Sequence, residues 1–248
     1  SGDVGNNLDI HNTIISNNEL SSTGTSAIRA TNSDLFISNT IIANNSSSGY
    51  TFWNPSWQGN TTTIMNSTIT GNVNGDVGVL QLDSPNNIIK NTIIWDNSNN
   101  ITVLSGATLD ISYSLVEGGQ GSVTNAGTLN WDSGNIDSNP LFCDNDSDNY
   151  YLYDNSPCIG VGEDGSNIGP YGIGCFANAQ WVSTDGNDFT GDGSSNNPYR
   201  YIQTAINNSS DGEKVIIKSG TYLENINYNK NISIIGQSQL GEVIIDGQ

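Results

Sequence analysis

Residues 35–45 read LFISNTIIANN, and the same pattern stands at Leu8 as LDIHNTIISNN, at Thr62 as TTIMNSTITGN, at Asn87 as NIIKNTIIWDN and, more loosely, at Leu109 as LDISYSLVEGG. Aligned on the central residue, Asn12, Asn39, Asn66, Asn91 and then Tyr113, the segments are spaced by 27, 27, 25 and 22 residues. Two positions before that centre stand Ile10, Ile37, Ile64, Ile89 and Ile111, and three after it Ile15, Ile42, Ile69, Ile94 and Val116. Two apolar columns flanking a bend are what a coiled chain needs to fill its own interior. The segments are β-branched, short and bounded by Asn and Gly, which favours strands over helical repeats. A period of this size, with two or three short strands per turn, predicts a parallel β-helix over residues 1–120. In it the Asn column, Asn12, Asn39, Asn66 and Asn91, is expected to stack as a hydrogen-bonded ladder at the bend.

Composition agrees. Asn makes up 38 of 248 residues and Gly 28, and both disfavour helix and favour turns. The 34% of hydrophobic residues still supply a core, which argues against disorder. With 25 acidic against 6 basic side chains the net charge is −19, so nucleic acid is an unsuitable partner, and cations, calcium among them, suit better. No apolar run approaches the roughly 18 residues that would insert in a membrane. Cys143, Cys158 and Cys175 lie within one short stretch without CxxC spacing, which leaves room for one disulfide of open pairing and one thiol. That usage points to an oxidising, extracellular or cell-surface location.

The remainder of the chain carries a resemblance. YSLVEGG, GNIDSNPLF from Gly134, YYLYDNSPCIGVG and NIGPYGIGC ending at Cys175 are similar to the closing coils of secreted bacterial right-handed parallel β-helix proteins with a pectin-lyase-like fold. WVSTDGNDFTGDGSSNNPYRYIQTAINN from Trp181, followed by VIIKSGTY, ISIIGQ and EVIIDG, resembles their opening: a strand, an Asp/Gly loop, a short capping helix near 201–207, then the first coils. The expected fold is therefore all-β, a right-handed parallel β-helix with coils of about 22–27 residues. Three parts follow: coils at 1–120, a closing element and cap at 121–178, and an opening element at 179–248. In the family the opener precedes the coils and the closer ends them, whereas here the order is coils, closer, opener. Joining Gln248 to Ser1 would restore it. The permuted order is explained by a period of a tandem array cut out of phase, by a subunit whose opener docks on the coils of another copy, or by two domains cut at both ends.

The resemblance also implies polysaccharide lyases and glycoside hydrolases, so catalytic groups were sought. Asp9 and Asp110 share a column, but Phe36, Thr63 and Ile88 lie between them. His11 stands in a variable outward column, and the two arginines, Arg29 and Arg200, have no carboxylate pair beside them. The expectation is a non-enzymatic structural or adhesive module, stacking end to end with copies of itself; a carbohydrate-active enzyme and a glycan-binding solenoid are the alternatives. Asp144, Asp146 and Asp148 have the spacing of a calcium loop, although Asn149 replaces its turn Gly, and Asp185, Asp188 and Asp192 could wrap an ion between glycines. Either set could equally be a solvated turn. Trp53 and Trp57, in GYTFWNPSWQGN, could stack a sugar ring, anchor a neighbouring subunit, or fold onto the solenoid wall.

Overall fold

In the computed structural model the described residues are 6–20, 27–31, 33–54, 60–74, 78–237 and 241–247. They form an all-β structure, a parallel β-solenoid of about nine turns with one short helix. It divides into two units, Ser1–Cys175 and Phe176–Gln248.

The first unit is built on four parallel sheets. The first stacks Asn6–His11, Ser33–Ser38, Thr61–Met65, Asn86–Lys90, Thr108–Ser112 and Thr128–Trp131, and the second Ile14–Ser16, Ile41–Ala43, Thr68–Thr70, Ile93–Trp95 and Leu115–Val116. A third sheet holds the two-residue strands Glu19–Leu20, Ser46–Ser47 and Val73–Asn74. The fourth holds Ile28–Arg29, Phe52–Asn54, Leu80–Leu82, Ile101–Val103 and Thr124–Asn125. Leu8, Leu35, Thr62, Asn87, Leu109 and Leu129 share one column, so successive turns take 27, 27, 25, 22 and 20 residues. The first four spacings are those of the sequence repeat. The fourth sheet is additional, and the coils run on past residue 120 to Trp131.

Every second residue of these strands points inward, and the two apolar columns meet there. Ile37, Ile64, Ile89 and Ile111 are fully buried, as are Ile42, Ile69, Ile94 and Val116, and Phe52, Leu80, Leu82, Ile101 and Val103 close the core from the fourth sheet. Burying such a side chain stabilises by roughly 2–3 kcal/mol, and here the turns above and below it exclude the water. The core is less covered at its two ends, where Ile10 and Ile15 at one and Leu129 and Trp131 at the other are only partly buried.

Residues 139–175 do not add coils of the same kind. Phe142–Asp144 pairs antiparallel with Asn149–Tyr153, which pairs parallel with Ile173–Cys175. This strap packs on the outer face of the second sheet: Tyr150 and Phe142 against Ile41 and Ala43, and Leu152, Cys158 and Ile168 against Ile93 and Leu115.

The second unit starts with Ala179–Val182, pairs it with Lys214–Lys218 and then Ser233–Gln237 in a parallel sheet, and sets Gly220–Tyr222 against Val243–Ile245 in another. Its helix, Ile202–Asn208, turns Ile202, Ala205 and Ile206 onto Val182, Val215, Ile217 and Tyr222. The Glu224 carboxylate accepts from Ile202 N and Gln203 N, satisfying two of the unpaired donors of the first turn. Lys230 Nζ donates to the carbonyls of Ile206, Asn207 and Ser209 at the other end, where a cation suits the helix dipole. The opener expected at 179–248, with its helix near 201–207, is thus present in its local order.

Candidate functional site

The bends set which side chains face out. Asn12, Asn39, Asn66 and Asn91 have φ of 51, 49, 47 and 49°, the left-handed region that Asn enters at low cost, and Tyr113 follows at 47°. The residue after each, Thr13, Thr40, Ser67, Thr92 or Ser114, donates its hydroxyl to the carbonyl two positions back. The amide ladder expected on the bend column lies six residues further on. Asn18 Nδ2 donates to Asn45 Oδ1, Asn45 Nδ2 to Asn72 Oδ1 and Asn72 Nδ2 to Asn97 Oδ1, at 2.8–3.0 Å. The backbone N–H of Asn18, Asn45 and Asn72 donates to the same oxygens. A second left-handed column, Asn17, Asn44, Gly71, Asp96 and Gly118, aims these amides inward. The signal was in the repeat, as an Asn directly after Asn, Asn, Gly and Asp.

Cys143 and Cys175 form the disulfide, joining the two outer strands of the strap, and Cys158 is a free thiol, fully buried. Burial pushes the Cys158 thiol up to about 12. The Tyr150 phenol is also raised, first by burial and then by the Asp148 carboxylate that accepts from its hydroxyl at 2.9 Å. Asn44 Nδ2 reaches both Asp148 Oδ1 and Tyr150 Oη, and Lys90 forms an ion pair with Glu163. Each ties the strap to a turn of the solenoid.

The acidic loops are engaged in turns. Asp144 Oδ1 accepts from Ser147 N and Asp148 accepts as above, while Asp146 is exposed. Asp188 Oδ1 accepts from Arg200 N and Tyr201 N. Asp192 Oδ1 accepts from Ser194 N, and its hydrogen bonds with Ser194 hold its carboxyl below the usual range. At the third position of that loop, Asp185 donates its backbone N–H to Ser183 Oγ. Among the described residues no three His, Cys, Asp or Glu side chains converge as a metal site, and no helix is long and apolar enough to cross a membrane.

The enzyme candidates stay apart. Asp9, Phe36, Thr63, Ile88, Asp110 and Asn130 occupy one outward column in that order, and Asn130 Nδ2 donates to Asp110. His11 Nδ1 lies 2.7 Å from Ser38 Oγ, with its ring 5.3 Å from that of Phe36. Arg29 sits with its guanidinium 4.7 Å from the centre of the Trp53 ring.

That last pair opens the most distinctive surface. Trp53 is in a strand of the fourth sheet rather than in a loop beside the coil, and Trp57 lies outside the described residues. Arg29, Trp53, Gln81, Thr102 and Thr124 face outward in one register, one per turn. Tyr50 leans on Trp53 at 5.6 Å. Beside them is an open cavity of about 320 Å³, lined by Tyr50, Gln81, Asn100, Thr102, Ser122 and Thr124 among others. No protein-family model, curated protein or solved structure matches the chain. Its geometry is therefore the ground for any functional reading.

Proposed function

We propose that the chain is a non-enzymatic structural module of an extracellular surface or filament, and that further β-coils stack on its first described turn. The observation that carries this is the state of that turn. Asn6–His11 is the last strand of its sheet among the described residues, Ile10 and Ile15 are half-covered, and Ile14 is 59% exposed. An edge strand with an apolar interior beside it pairs readily with another chain. The strap packs on the side of the solenoid, against Ile41, Ile93 and Leu115, and so leaves that turn open. The Cys143–Cys175 disulfide supports an oxidising location. Continuation as a tandem array and head-to-tail growth between copies are both served by this surface. The family likeness to pectin-lyase-like proteins is carried only by the closing and opening segments.

Sedimentation and electron microscopy of the purified chain test the proposal. End-to-end particles are expected, lengthening as salt screens the charge of −19. Ile10→Lys, which sets a charge in the interior of the first turn, is expected to abolish them. Monomers at every salt concentration would sink the reading.

A further inference from the structure

We infer that the outer face of the fourth sheet in the first unit binds an uncharged, polyhydroxylated chain, a neutral glycan, in the cavity beside Tyr50. The claim is separate from coil stacking, which uses a different surface.

Three observations carry it. The first is chemical: in a chain with 25 acidic side chains, the cavity is lined by Tyr50, Gln81, Asn99, Asn100, Thr102, Ser122 and Thr124 with no carboxylate, and the neighbouring cation, Arg29, is engaged on the Trp53 ring. Amides and hydroxyls both donate and accept, which matches a ligand made of hydroxyls and ring oxygens. An anionic sugar acid would meet the net charge of −19 without a free cation among the lining residues.

The second is an unmet acceptor. Asn100 donates through Nδ2 to Glu117 O at 2.8 Å, while its Oδ1 is buried without a hydrogen-bond partner. A buried oxygen left unpaired costs about 1–3 kcal/mol, which a hydroxyl placed in the cavity would recover. The third is spacing. Gln81, Thr102 and Thr124 repeat once per turn in strict register, at about 4.8 Å, close to the advance of one sugar in an extended chain. Gly78 keeps this row accessible, since a Cβ there would meet Thr102 Oγ1 at 2.6 Å. Tyr50 offers a ring at one end for the apolar face of a sugar. Trp53 is not that platform, because Arg29 already lies over its ring.

Titration calorimetry with short β-linked oligosaccharides of glucose, mannose and xylose, run beside oligogalacturonate, tests this. At least one neutral series is expected to bind, with oligogalacturonate weaker. Tyr50→Ala and Thr102→Val are each expected to weaken binding about tenfold, while Phe189→Ala, fully exposed in the second unit, leaves it unchanged. Circular dichroism of the variants separates lost binding from lost fold. The inference is overturned if no neutral series binds, if binding survives both groove variants in folded protein, or if oligogalacturonate binds best.

Discussion

At the bends, single residues are held in a conformation that most side chains avoid. Asn66, at φ 47°, is representative. Asn66→Ala is expected to cost about 1–2 kcal/mol, the penalty of a Cβ without a compensating amide in the left-handed region, and Asn66→Gly to cost far less. Chemical denaturation of the pair checks it; equal losses would mean that side-chain contacts, not φ, govern the position. Tyr113 takes the same conformation, and Gly134 makes room for it, since a Cβ there would come within 2.4 Å of the ring. Repetition made the bend column legible, but not which of two nearby Asn columns carries the ladder. Both are polar and both recur, and only the backbone rotation decides which amide points inward.

Among elements, the strap is the one whose docking was least readable. Its cysteines were visible as a cluster, but their pairing depends on which strands become neighbours. One signal was present in the second sheet. Ile41–Ile42, Ile93–Ile94 and Leu115–Val116 are adjacent apolar pairs, and a strand apolar on both faces is covered on both. The coil interior covers one face and the strap the other. Replacing Cys143 and Cys175 by Ser is expected to destabilise the strap by about 3–4 kcal/mol, from the 32-residue separation that the bond closes. Labelling of Cys158 should then become fast while the circular dichroism of the coils persists. Alkali acts on the same element. The Cys158 thiol, ordinarily near 9, is raised to about 12 in the folded protein, so the folded state holds its proton more tightly. Stability from this group is complete below pH 9 and is lost as the pH climbs from there towards 12. Raised Tyr150 acts in the same direction. Thiol labelling across pH 8–11 should therefore accelerate more steeply than thiolate formation in a free peptide predicts.

On the scale of the molecule, two cores are present, one in each unit. Ile64→Ala, at a fully buried position of the first, is expected to cost about 3 kcal/mol and to shift one calorimetric transition while leaving a second in place. A single transition that moves as a whole would show the two to be one cooperative system. The solenoid itself was legible because each turn repeats the same two apolar columns. The fourth sheet was less so, because Phe52–Asn54 and Leu80–Leu82 lie in segments that share no wording with each other or with the repeat.

The turns of the first unit shorten from 27 residues to 20 along its length, so the tube tapers. A wide cross-section encloses more interior than a narrow one, and a narrow turn laid over Ile10 and Ile15 would leave part of that interior wet. The two mouths are thus of different calibre, and growth at the wide one requires a turn of matching girth. Polarity of assembly is in this way written into turn length, before any specific contact is made.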